Sequence, residues 1–177
     1  MNDIEKNLSQ ILNFQFIHAH LFTSGQPTQV ELQSIKAYGV STIINLGLTE
    51  ENTTNRQEEH DCLALGLHYI HMPISWEMPS DDQCILVLDL IHHLVQDQIL
   101  WIHCQNNYRV SSLMYLYLHY YLNIEMPTAQ QQMHQVWQPN QTWTGLIHAV
   151  ALQLQGRKAT KELQDTLMHT SLTSHSE

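Results

Sequence analysis

Positive charge is scarce in this chain. Seven Lys and Arg stand against seventeen Asp and Glu, a formal net charge of −10. Neutralising a nucleic-acid backbone or an anionic membrane takes clustered cations, so both are disfavoured as partners and any anion site must be local. Long apolar runs are missing too. No uncharged apolar stretch reaches the ~18 residues needed to span a bilayer, and the start, MNDIEKNLSQ, is acidic and lacks an apolar leader core. The expected location is therefore the cytosol, away from membranes. Cysteine is limited to Cys62, Cys84 and Cys104, with no CxxC pair and no disulfide spacing, which fits free thiols in a reducing compartment. Histidine is plentiful, yet His18/His20 and His92/His93 have no Cys or carboxylate at ligand spacing, so the sequence implies no metal and no cofactor.

What is present suffices for one core: 177 residues, 43 % of them hydrophobic. An amphipathic start (Ile4, Leu8, Ile11, Leu12) precedes alternation through NFQFIHAHLFTSGQP, read as a strand or extended pair ending in a Gly-Gln-Pro turn. Thr28 and Glu31 form a capping-box pattern for a helix running to Tyr38, with Gly39 as its stop. A β-branched strand, VSTIINLG, follows. The alternation then repeats: a polar loop at TEENTT, a helix stopped by Gly66, the strand LHYIHMPI, the loop SWEMPS, the helix ILVLDLIHHLV and the strand ILWIHC. Three closing helices are predicted, the second with Thr128 as N-cap after Pro127 and the third with Trp143, Leu146, Ile147, Val150 and Leu154 on one face. The expected fold is a single α/β domain over 1–155, its central, largely parallel sheet flanked by helices on both faces. From 156 to 177 the chain is polar, a flexible tail with at most one marginal helix.

In such sheets ligands bind at the carboxyl ends of the strands, and Cys104 sits at one such end. A loop from strand end to helix start aims backbone N–H groups at one point, where the helix dipole adds positive potential. The same groups and a nearby guanidinium favour thiolate over thiol, giving a nucleophile at neutral pH. Arg109 can grip two oxygens of a tetrahedral oxyanion. The chemistry this fits is in-line attack of Cys104 on phosphorus, a cysteinyl-phosphate intermediate, and release of phosphate by water. Cys62 and Cys84, inside helices among Leu and Ile, read as small core residues.

At this point the sequence resembles the cysteine-dependent phosphatases, in particular compact bacterial proteins similar to dual-specificity protein tyrosine phosphatases. The residues are HCQNNYRVS, supported by TSGQPT, YGVSTIINL and YIHMPISWEMP in the expected order, and they span roughly residues 16–150. The resemblance implies Cys104 as nucleophile and Gln105, Asn106, Asn107, Tyr108 and Arg109 as the phosphate-binding loop. It implies His103 as a support that biases the thiolate, and Ser111, seven residues after Cys104, as the hydroxyl that steadies it on departure. For the acid that protonates the leaving oxygen, the loop PISWEMPSDD offers Glu77, flanked by Trp76 and Met78. Asp81 and Asp82 lie in a helix's first turn and read as dipole partners. Two departures stand out: four residues separate Cys104 from Arg109 where the common family loop has five, and Asn106 and Asn107 take the place of glycine. Asn tolerates positive φ, so both are expected to supply left-handed turns. The implied substrate is a phosphorylated protein, phosphotyrosine foremost, or a small phosphomonoester. The alternatives are a rhodanese-type sulfurtransferase, whose Cys loop is also short, and a non-catalytic phosphate-binding module.

Overall fold

The computed structural model describes residues 3–49 and 55–173. Five strands form one sheet: β1 (Gln15–His18), β2 (Leu21–Ser24), β3 (Thr42–Asn45), β4 (His68–His71) and β5 (Leu100–His103), in the order β1-β2-β5-β3-β4. The β1–β2 hairpin is antiparallel and the remaining pairings are parallel. Parallel strands need crossovers, and the crossovers supply the layers. Helices α1 (Asp3–Leu8), α2 (Gln29–Tyr38) and α3 (Asn55–Ala64) pack on one face. The other face carries α4 (Asp81–Leu94), α5 (Tyr108–Tyr120), α6 (Met126–His134) and α7 (Gln141–Thr173). The α/β sheet covered on both faces is therefore as the sequence predicts.

The central strand shows why both layers are required. All four residues of β5 are buried, and successive side chains must leave opposite faces. Leu100 and Ile102 enter the cluster with Ile85, Leu88, Leu113 and Val150, while Trp101 enters the cluster with Leu32, Ile35 and Ile43. The Trp101 indole N–H is satisfied by Ser24 Oγ at 2.9 Å. Cys62 and Cys84 lie in these cores, where burial, helped by nearby carboxylates, pushes each thiol up to about 12. Neither is a reactive thiol.

Local signals place the elements. Thr28 and Glu31 form both halves of the capping box, and Gly39 closes α2 at φ 111°, a left-handed conformation that glycine adopts without strain. Gly66 follows α3 at φ 68°. Three expectations need correction or limits. Helix α6 starts at Met126 with Glu125 at the N-cap, so Thr128 lies inside its first turn; Pro127, already set at a helical φ and lacking an N–H, fits ahead of it. The final helix does not stop near Leu154 but continues through Thr173, because 156–173 holds Ala, Leu, Lys and Glu and no proline. The polar loop predicted at TEENTT lies, apart from Thr49, outside the described residues. Among the described residues no helix is long and apolar enough to cross a membrane.

The capping box gives a stability prediction. Thr28→Ala removes the acceptor for the Glu31 N–H, and urea unfolding is expected to show a loss of about 1 kcal/mol at unchanged slope. An unmoved midpoint would mean that the cap contributes nothing.

Candidate active site

Four residues separate the end of β5 from the start of α5. Asn107, its N-cap, makes that turn at φ 63°, and its side-chain amide donates to Asn13 O at 2.7 Å and to Thr23 Oγ1 at 3.1 Å. Asn13, itself at φ 51°, returns a bond to Asn106 O at 2.9 Å. The loop is thus clasped by the turn before β1. Asn107 takes the positive φ predicted for it, but Asn106 does not, because one left-handed residue suffices in so short a loop. Gly25 is the second enabling position. A Cβ there would lie 3.0 Å from Gln105 O and 2.9 Å from Leu12 Cδ2, and the next residue's N–H, that of Gln26, bonds Gln105 O at 3.1 Å.

The loop faces a cavity of about 470 Å³ lined by Cys104, Gln105, Asn106, Tyr108 and Arg109, together with Leu48, Ser75, Trp76 and Glu77. Cys104 is 1 % exposed and lies at its floor among groups suited to an anion. The first N–H groups of α5 have no partners inside the helix, and its dipole directs positive potential toward them. Arg109, 4 % exposed, donates from Nε to Ile74 O at 2.9 Å, and its guanidinium carbon stands 5.4 Å from the centre of the Trp76 ring. The guanidinium plane is therefore set by the loop after β4. One wall is aromatic: Tyr108 stacks on Trp137 at 4.9 Å between centroids and 6° between planes, and Trp76 packs on Trp137 and Trp143. Trp143 Nε1 donates to Trp76 O at 3.1 Å, tying the loop to α7.

The remaining predicted residues separate. Glu77 reaches the cavity but is exposed, and Met78 beside it is 82 % exposed, so Met78 does not shield it from water. Asp81 and Asp82 occupy the first turn of α4 behind the Ser80 cap, as dipole partners do, and Asp81 accepts from Gln153 at 2.7 Å. Ser111 is buried and donates to Tyr108 O at 3.1 Å; it does not line the cavity.

A buried cluster that no sequence motif marks lies beneath the loop. Glu58 of α3, 1 % exposed, accepts on Oε1 from Gln26 Nε2 at 2.9 Å and on Oε2 from Asn45 Nδ2 at 2.8 Å and the Tyr69 hydroxyl at 3.0 Å. His103 Nε2 stands 2.9 Å from the same Oε1, without an aligned hydrogen bond. Burial opposes ionisation of Glu58, but the facing His103 and the bonds from Tyr69 and Gln26 outweigh it and hold the carboxyl below its ordinary pKa. A lone Glu in a polar helix gives no hint of this role, since its partners are scattered from residue 26 to 103.

The family model of the DSP-PTPase phosphatase fused to NAD+ kinase matches residues 7–149. No curated protein matches the sequence significantly. Among solved structures, the DUF442 phosphatase-like protein of Shewanella putrefaciens CN-32 superposes at a TM-score of 0.74 with 24 % identity, over 84 % of this chain and 97 % of that one. The active form of Tk-PTP gives 0.67 and 19 %, over 78 % and 96 %. TpbA of P. aeruginosa in complex with phosphotyrosine gives 0.57 and 13 %, over 85 % and 94 %. These likenesses carry the fold, and the family match carries the rest: the chain belongs to the DSP-PTPase family of phosphatases fused to NAD+ kinase and is a cysteine-dependent phosphatase.

Proposed function

We propose that the substrate is an aromatic phosphomonoester, phosphotyrosine in a phosphorylated protein first of all, and that the reaction runs through a cysteinyl-phosphate on Cys104. The observation that carries this reading is the single cavity into which Cys104, Arg109 and Glu77 all open beside Trp76 and Tyr108. The Cys104 thiolate attacks phosphorus in line. The S–P bond forms as the P–O ester bond breaks, and Glu77 gives its proton to the departing oxygen. The loop amides and Arg109 hold the equatorial oxygens as charge builds on them. Water then attacks phosphorus, Glu77 takes its proton, the S–P bond breaks and phosphate leaves. Ser111 is left out, because its proton is already committed to Tyr108 O. The aromatic side of the cavity suits a phenyl ring better than an alkyl chain, since ring-on-ring packing adds to area burial.

The first test is hydrolysis of p-nitrophenyl phosphate. Turnover is expected to be vanadate-sensitive and lost in Cys104→Ser. Sulfur transfer from thiosulfate to cyanide with no phosphatase turnover would instead establish the sulfurtransferase, and tight phosphate binding without turnover a binding module. Arg109→Lys keeps the charge but loses the two-pronged grip, so kcat/KM is expected to fall by about 100-fold. Glu77→Gln distinguishes leaving groups: phenyl phosphate, whose phenolate needs the proton, should lose about 100-fold in kcat, and p-nitrophenyl phosphate far less. Equal losses on both esters would remove Glu77 from the role of acid.

Gly25→Ala tests the close approach at the loop. With backbone 3.0 Å from the new methyl, Gln105 must move, and kcat is expected to drop at least ten-fold while the sheet, read by far-ultraviolet circular dichroism, is unchanged. Native kcat would show that the loop tolerates the shift.

A further inference from the structure

The carboxylate beneath the loop has no place in the chemistry above, yet it is the most heavily bonded acidic group described here. Its two oxygens receive donors from the turn after β2 (Gln26), from β3 (Asn45) and from β4 (Tyr69), and its contact with His103 adds β5, the strand that ends at the nucleophile. Asn45 in turn accepts from Gly47 N–H at 2.7 Å, and Gln26 bonds Gln105 O through its backbone. One anion therefore gathers three strands and the turn behind the phosphate loop. An anion left in a buried site without such donors would be strongly disfavoured by desolvation.

The geometry also constrains His103. The ring is fully buried, and neither nitrogen has an aligned hydrogen-bond partner. An unprotonated Nε2 would set its lone pair against a carboxylate oxygen 2.9 Å away. A carboxylate can only accept, so it selects the ring with a proton on Nε2. Other titratable groups around the anion do not compete. Cys62, on the same helix, is pushed up to about 12 by burial and by Glu58's charge, and Tyr69 is pushed up by the same two causes, so both stay protonated in the working range. Gln26 and Asn45 are neutral amides.

We propose that Glu58 is the positioning residue of the nucleophile, holding the His103 ring with its proton on Nε2 at the root of the Cys104 loop. The proposal rests on Cys104 being the nucleophile, and its test does not depend on phosphatase turnover. Carboxymethylation by iodoacetate forms an S–C bond and expels iodide, and its rate follows the thiolate. It is measured against pH on the Cys104 peptide by mass spectrometry in the native protein, Glu58→Gln and Glu58→Asp. In Glu58→Gln the carboxylate that fixes the proton on Nε2 is gone, so the ring at the root of the loop is no longer held in one tautomer and orientation. The half-maximal pH is then expected to rise by about one unit, kcat for p-nitrophenyl phosphate to fall about ten-fold with KM little changed, and Glu58→Asp to recover part of both.

A half-maximal pH that stays in place while thermal stability drops would make Glu58 merely structural and overturn the proposal. A downward move would also overturn it, showing that the carboxylate only adds negative charge near the sulfur. If neither variant folds, nitrogen-15 imidazole spectra of the native protein decide, with the His103 signal assigned by its loss in His103→Asn. A proton on Nε2 supports the proposal, and a ring protonated on Nδ1 alone sinks it. Native protein without turnover but with the iodoacetate shift in Glu58→Gln would overturn the phosphatase reading and leave this one standing.

Discussion

Everything at the site depends on turning a fully buried strand into a largely buried helix within four residues. Residues 100–103 of β5 are enclosed on both faces, and α5 starts at Tyr108 with nine of its thirteen residues buried, so neither element can shift to ease the turn. The chain meets the constraint with one left-handed residue, Asn107, whose side chain is then anchored to Asn13 and Thr23. The cost of an αL residue is small for Asn, and the anchoring bonds fix which way the loop faces. A strand end, a short loop and a helix start so fixed leave their N–H groups pointing at one place, and that place is where Cys104 lies.

Much of this was legible because it is written in short-range signals. Thr28, Glu31 and Gly39 carry a helix start and stop within twelve residues, and the alternation of Leu100, Trp101 and Ile102 between two cores follows from strand geometry alone. The Cys104–Arg109 spacing was legible for the same reason. Asn106 and Asn107 show the limit: both tolerate positive φ, and which one takes it depends on Asn13, ninety-four residues away from Asn107. Glu58 was not legible at all. Its partners come from four separate segments, and only the sheet order brings them together. Thr128 and the outer half of α7 failed for a third reason: a helix can begin ahead of a proline, and it can run on past its packed half when nothing in the sequence breaks it.

The chain's net charge of −10 does not defeat an anion site. Exposed charges more than ~10 Å away are screened at physiological salt, so the potential at the loop is set by what lies inside that distance. There Arg109, nearly buried and lying over Trp76, is screened least, and the start of α5 adds its dipole. Glu58 is the counterweight, but its charge is spread over three donors and His103 and is directed into the sheet. An acidic surface outside the cavity then disfavours non-specific anions such as nucleic acid while leaving the cradle itself positive.

Glu77 and Arg109 are also mechanically one piece. Arg109 is aimed by its bond to Ile74 O and by the face of Trp76, and Glu77 is the next residue along the same loop. Trp76 is held in turn by the Trp143 indole, which bonds its carbonyl, and by ring contact with Trp137. Motion of 74–77 would therefore release the guanidinium and withdraw the Glu77 carboxyl together. The cluster of Trp76, Tyr108, Trp137 and Trp143 does two jobs: it fixes the loop 74–77, and through Trp76 and Tyr108 it gives the cavity an aromatic surface. Truncating Trp143, which does not line the cavity, removes the first without touching the second, and the two contributions divide along that line.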